Sequence, residues 1–325
     1  MPRIDLNVFV SSSHVSDQQS NWLNMQLTVS MAQKYGFRGV LCYAGNDTYV
    51  DPWVFAQYIA QNSTLEPLVA VNPLYVPPYQ AAKTIASIAS VYRRKCHINL
   101  ITGTASRDRE ALNDKLSGFE RYDRLTEFAE LCRRLLVDRH VTFNGRYYQT
   151  LAASLLPKVH REYVPNFYLS GASDAADAAA KTIGATRFQM ISAQTDQRSA
   201  EGIEAVFFGL VSRLQKADAW AAAREYFPGS ELKRELHAVS LSHTDSVWKH
   251  RLMETAQSGI QPEWYWMDPF KHGQAACPYV VSSREEAAQM IKGMLLRGVN
   301  TILIDLPAEE ESFAEASAAI ALALR

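Results

Sequence analysis

Two short stretches carry residue types that chemistry can use. Residues 99–104 read Asn-Leu-Ile-Thr-Gly-Thr, and residues 168–174 read Tyr-Leu-Ser-Gly-Ala-Ser-Asp. Each is an apolar, strand-like run that ends in small polar residues. The second passes directly into an alanine-rich segment, Ala175 to Ile183, of helical composition. The first turn of a helix carries unbonded backbone N–H groups and a partial positive charge, so it can hold an anion. Gly171, Ala172 and Ser173 offer a phosphate two backbone donors and one hydroxyl. Ser173 alone also reads as an ordinary N-cap. Asn99 and Thr102 present an amide and a hydroxyl at a strand end, suited to a ligand edge or to capping the strand. Two such ends on one face of a parallel barrel make a site for a phosphorylated cofactor.

The elements that must position these ends alternate along the chain. Strands are expected at Ile4–Val10, Arg38–Tyr43, Leu65–Val71, His97–Ile101, Asn166–Ser170, Thr186–Met190 and Thr301–Asp305, with helices between them. Ala205–Arg213 fits a seventh strand or a helix. The Asn144-Gly145 dipeptide signals a hairpin within residues 141–149. Repeated βα units imply a TIM (β/α)8 barrel, whose strand C-termini build the active site. The long, aromatic-rich stretch at about 214–279 exceeds one unit and reads as a helical insertion before the last strand, covering the barrel mouth. The expectation is one domain over residues 1–325.

Composition narrows the function classes. The 325 residues are 47% hydrophobic with a net charge of −1, so a full core is expected and no basic field draws the chain to nucleic acid or membrane. The four cysteines form no CxxC pair, and no metal site is expected. The N-terminus lacks a signal-peptide pattern and no run approaches a membrane span; the expected location is the cytoplasm. His14, just past the first strand, suits proton transfer, anion binding or a purely structural polar contact.

In this order the segments resemble the bacterial luciferase-like family of flavin-dependent monooxygenases, most closely its alkanesulfonate monooxygenase branch. The resemblance rests on Asn99-Leu-Ile-Thr-Gly-Thr104, Phe119-Glu-Arg-Tyr-Asp123, Asn144-Gly-Arg-Tyr147, Tyr168-Leu-Ser-Gly-Ala-Ser-Asp174, Thr244-Asp-Ser-Val247 and Arg297-Gly-Val-Asn300. It spans nearly the whole chain and is poorest over residues 191–243. It implies reduced FMN as cofactor and O2 as co-substrate. A separate NAD(P)H-dependent flavin reductase would supply the reduced flavin. A peroxyflavin would oxygenate a small organic substrate, and the chain would assemble as a homodimer or tetramer. Carried over residue by residue, Asn99 and Thr102 would line the flavin ring, and a strained bulge at Val71 would press on it. Tyr122 and residues 171–173 would reach the phosphate. The branch has serine where Ala172 stands.

The substrate side departs from that branch. Its Arg-x-His set aligns with Val211-Ser212-Arg213, its mobile arginine with Lys271-His272-Gly273, and its cysteine with Thr48 or Tyr49. His14, Arg213 and His272 are therefore the candidate catalytic groups, for an acidic substrate that need not be a sulfonate. Two other functions fit the same resemblance: hydride transfer with the deazaflavin F420, and flavin binding without catalysis.

Overall fold

The structure, a computed structural model, describes residues 6–12, 18–45, 48–103, 105–192, 202–258 and 262–325. The chain begins with β1 (Asn7–Ser12), α1 (Gln18–Lys34), β2 (Gly39–Cys42), α2 (Pro52–Asn62), β3 (Glu66–Val71), α3 (Pro78–Tyr92) and β4 (His97–Leu100). A short α4 (Ser106–Ala111) and a long α5 (Gly118–Val137) lead to the hairpin β5 (Val141–Asn144) and β6 (Gln149–Ala153). Then follow β7 (Phe167–Ser170), α6 (Asp174–Ile183), β8 (Thr186–Met190) and β9 (Ala205–Arg213). The insertion holds α7 (Lys216–Tyr226), α8 (Glu231–Ser242), α9 (Val247–Gln257), β10 (Tyr265–Trp266) and α10 (Asp268–Lys271). The chain ends with β11 (Tyr279–Ser283), α11 (Arg284–Leu296), β12 (Thr301–Leu306) and α12 (Glu310–Ala323).

Strand order makes this a TIM-barrel-like α/β fold. The cycle runs β9-β12-β1-β2-β3-β4-β7-β8 and closes through β8–β9 pairing. β11 lies outside that cycle, on the C-terminal half of β9. The expected insertion therefore holds a short strand, β10, and is followed by a sheet strand that sequence periodicity did not single out. Contacts group the chain into two compact units, Met1–Gly39 with Phe188–Arg325, and Val40–Arg187. Each is described by itself below.

In the unit built on residues 40–187, β3, β4 and β7 pair in parallel, Ala70 beside Asn99 and Asn99 beside Tyr168. His97 opens β4 fully buried. Its Nδ1 accepts the Asn166 N–H at 3.2 Å, so the proton on Nε2 points to Glu66 at 2.8 Å. That wiring sits at the N-terminal end of the strands, where it serves the fold. α5 starts on a capping box: Ser117 Oγ accepts the Glu120 N–H, and Glu120 accepts the Ser117 N–H. The glutamate of the Glu-Arg-Tyr motif is thus accounted for by helix capping. The hairpin is longer than a two-residue turn. Asn144 pairs with Gln149, and Glu127 accepts backbone N–H groups from Arg146, Tyr147 and Tyr148. A Cβ on Gly145 would lie 2.3 Å from the Glu127 carboxylate, which fixes glycine there.

In the other unit, every residue of β9 is buried. A strand covered on both faces shows no alternation, which is why its residues also suited a helix. Gly209 in its middle lies under the Tyr279 ring; a Cβ there would be 2.2 Å from the ring. The Tyr279 hydroxyl donates to Asp305 Oδ2 at 2.8 Å and Ser11 donates to Oδ1 at 2.7 Å, so β1, β11 and β12 meet on one buried carboxylate. No described helix is long and apolar enough to cross a membrane.

Gly209→Ala should force the Tyr279 ring off β9 and lower unfolding stability by roughly 2–3 kcal/mol, the usual cost of overpacking a dense core. Urea denaturation checks it through a lower midpoint at unchanged slope.

Candidate active site

The residues singled out for a cofactor lie in the 40–187 unit, on β3, β4, β7, α5 and α6. Ser173 is the N-cap of α6, with extended φ −87° and ψ 161°, and its hydroxyl accepts the Ala176 N–H at 3.2 Å. The helix continues as Ala-Ala-Asp-Ala-Ala-Ala and ends on Gly184 in the left-handed conformation. Capping consumes only one first-turn donor, so the N-cap role of Ser173 and an anion at the same turn are compatible.

Gly171 is the close-packed point of this turn. A Cβ there would lie 2.6 Å from the Tyr122 hydroxyl and 2.8 Å from Ala176 Cβ. Only a bare backbone lets the α5 tyrosine come so close. The structure therefore brings Tyr122 and residues 171–173 together, although they are about fifty positions apart. Arg187 adds a cation: Nη1 donates to the Gly171 carbonyl at 3.2 Å, and Nη2 lies 3.6 Å from Asp177. Asp177, also bound by Lys181 at 2.7 Å, is held below the usual carboxylate range, mainly by that hydrogen bond. Arg187 gave no sequence signal beyond being a cation in a strand.

On the strand ends, Asn99 is buried and its Oδ1 accepts the Ser170 hydroxyl at 3.0 Å. That bond orients the amide and leaves Nδ2 as the donor. Thr102 is buried two residues past β4. Val71 is the last residue of a regular strand, its carbonyl accepting the Ile101 N–H at 3.0 Å. At the strained bulge expected here, Val71 and Asn72 show neither a cis bond nor a positive φ. Asn72 Oδ1 accepts the Leu74 N–H at 3.0 Å and turns the chain, while its Nδ2 is buried without a partner.

The three candidate catalytic residues have separate fates. His14 lies outside the described residues. Arg213 is 5% exposed at the end of β9, 2.5 Å from Glu309 and 3.2 Å from Glu311, with Nη1 donating to the Ser212 carbonyl at 2.9 Å. Its guanidinium ties β9 to the start of α12. His272 ends α10 half-buried; its Nδ1–H donates to the Asp268 carbonyl at 2.8 Å, which leaves Nε2 as the basic nitrogen. The aromatic insertion residues pack on one another: Trp266 meets Trp220 and Phe227 edge-on, and Phe227 meets Tyr279. Asp305 was missed, although one acid closing the run Thr-Ile-Leu-Ile-Asp-Leu was a visible signal. Among the described residues, no group of three or more His, Cys, Asp or Glu could hold a metal ion.

A family model described as luciferase-like monooxygenase matches residues 6–261. The chain belongs to the luciferase-like monooxygenase family. A curated relative is 26% identical over 314 residues, covering 93% of this chain and 91% of its own. It is the 4-(gamma-L-glutamylamino)butanoyl-[BtrI acyl-carrier protein] monooxygenase BtrO of Niallia circulans. Among solved structures, EDTA monooxygenase (EmoA) from Chelativorans sp. BNC1 matches with a TM-score of 0.71 at 13% identity, over 98% of this chain and 93% of that one. An F420-dependent secondary alcohol dehydrogenase in complex with an F420-acetone adduct matches with a TM-score of 0.66 at 15% identity, over 98% and 99%. At such identities the structures carry the fold alone. The alkanesulfonate branch receives no specific support from these relatives.

Two outcomes follow. Gly171→Ala should push Tyr122 and the start of α6 away, lower the melting temperature, and weaken binding of FMN, the cofactor the resemblance implies, about tenfold, near 1.4 kcal/mol; fluorescence titration measures it. Arg213→Met should cost roughly 1–3 kcal/mol of stability, the loss of hydrogen bonds to charged groups, and leave FMN affinity unchanged. Denaturant unfolding and the same titration separate the two effects.

Proposed function

We propose that this luciferase-like protein is a reduced-FMN-dependent monooxygenase that uses O2 to oxygenate a small organic substrate. A separate NAD(P)H-dependent flavin reductase would deliver the reduced flavin. One observation carries the reading: Gly171, kept bare by the Tyr122 hydroxyl and Ala176, sits at the turn into the first residues of a capped helix. A cradle that a Cβ would fill, free N–H groups and a hydroxyl suit a terminal phosphate. Arg187 on the Gly171 carbonyl offsets the acids of the first turn. Ala172 contributes backbone only, so the serine hydroxyl of the sulfonate branch is not needed for this grip.

The ring edge of the cofactor falls to the strand ends. Asn99, held by Ser170, presents Nδ2 to an acceptor; Thr102 offers a hydroxyl and Val71 an apolar surface. Bound reduced FMN would supply the electrons that divide O2 between the oxygenated substrate and water. The chain itself binds the phosphate, orients the ring edge and keeps water from the reacting atoms. His272, with its proton fixed on Nδ1, is our candidate base through Nε2, and His14 our candidate for an anionic substrate group. We withdraw Arg213 from that role, since two carboxylates and a carbonyl already take its donors.

The name of the curated relative points to an acyl-carrier-protein-bound substrate carrying an amide and a carboxylate, and not to a sulfonate. We favour a carboxylate- or amide-bearing substrate for this chain as well. Homodimeric or tetrameric assembly and a cytoplasmic location complete the proposal.

Under nitrogen, reduced FMN should quench tryptophan fluorescence in a saturable way. On admitting air with a flavin reductase and NADPH, oxygen uptake should rise above that of the reductase and free flavin only when a substrate is present. No quenching by reduced FMN, together with saturable binding of F420, would move the chain to hydride-transfer chemistry.

A further inference from the structure

The helix α8 is nearly all surface. Apart from His237 and Leu241, every side chain of it whose burial is described is exposed, including Leu232, Leu236 and Val239 at more than half their area. What it packs against is α10 and the turn that follows. His237 forms that contact. Its ring stands edge-on to Phe270, centroids 5.2 Å apart at 88°, and Phe270 is fully buried. Its Nδ1 lies against Gly273, where a Cβ would come within 3.1 Å and where φ is +64°. Its Nε2 is buried with no hydrogen-bond partner.

A buried, unpartnered imidazole nitrogen tolerates the neutral ring and opposes the charged one. The charged and titratable groups around it do not compensate. Lys249 of α9 contributes repulsion, and the turn after α10 brings His272, whose ring also lies near Gly229 just before α8. The Asp268 carboxylate of α10 is already held by Lys271 and Trp266, each at 3.1 Å. Lys233, Arg234 and Glu235 of α8 itself are exposed, with Arg234 paired to Glu231. Burial, then Lys249, holds His237 below its ordinary value of 6.5. A depressed histidine leaves the contact at full strength above the unfolded value. The strength is lost as pH falls from about 6.5 through the folded value, because the released state binds the proton more readily.

We propose that His237 is a pH-sensitive latch: neutral, it docks α8 on Phe270 and the Gly273 turn; protonated, it releases α8 and loosens the loop that carries His272. The latch is a property of the insertion and stands whichever cofactor the barrel takes.

Hydrogen–deuterium exchange of the α8 peptide, residues 231–242, between pH 8 and 5.5 tests this. After correction for intrinsic exchange, protection should fall in the native protein as the pH drops, by up to about tenfold at pH 5.5, the most that a released-state value near 6.5 allows. His237→Phe keeps the edge-on ring without a titrating group, and its protection should not depend on pH. An equal pH response in both proteins, or none in the native protein, overturns the proposal. Should His237→Phe fail to fold, NMR titration of the imidazoles in the native chain decides instead. His237 must titrate below 6.5, with the α8 amide shifts moving in step. Titration at or above 6.5 refutes the latch.

Discussion

Everything proposed for the cofactor depends on a single close approach, the Tyr122 hydroxyl lying where a side chain on residue 171 would be. That approach fixes glycine at the strand–helix turn and brings α5 over the end of β7, beside the first turn of α6. The capping box at Ser117 and Glu120 sets where α5 begins and therefore where Tyr122 stands on it. Glu127, two turns past Glu120, gathers three hairpin N–H groups and ties the hairpin to the same helix. The motif residues around Tyr122 thus divide the labour: Glu120 builds the helix end, and Tyr122 shapes the cradle.

Much of this was legible in the sequence because the signals are local. The order of βα units, the serine cap before an alanine-rich helix and the glycine before it all act within a few residues, and the structure shows them at the expected positions. Asn99 was legible in the same local way only as an amide at the polar end of an apolar strand, its cofactor role resting on the resemblance. Signals that depend on distant partners were hidden. Ser170 matters because it holds Asn99, and Arg187 because it meets Gly171. Asp305 matters because Ser11 and Tyr279 converge on it. None of those pairings follows from spacing.

Two expectations met partners that the sequence hid. A bulge at the end of β3 was expected by resemblance; there Asn72 forms its own side-chain turn and the ladder runs on from Val71 to Ile101, with no cis bond or positive φ at either residue. Arg213 was a candidate to meet an acidic substrate because it aligns with the Arg-x-His set of the sulfonate branch. Glu309 and Glu311 at the start of α12 reach it first. A lone arginine in a sequence says nothing about the carboxylates that will neutralise it, here about a hundred residues away. The insertion was legible as helical and aromatic, while its dependence on a histidine contact between α8 and α10 emerges only from the packing.

The central claim is that this turn grips a phosphate, and the most direct measurement compares reduced FMN with reduced riboflavin, which differ only in that group. Anaerobic titration of the native chain should show FMN bound about a hundredfold more tightly, near 2.7 kcal/mol, the scale of several charge-assisted hydrogen bonds acting together. Equal affinities for the two flavins would contradict the claim, because the helix start and the Tyr122–Gly171 approach would then be architecture without a ligand.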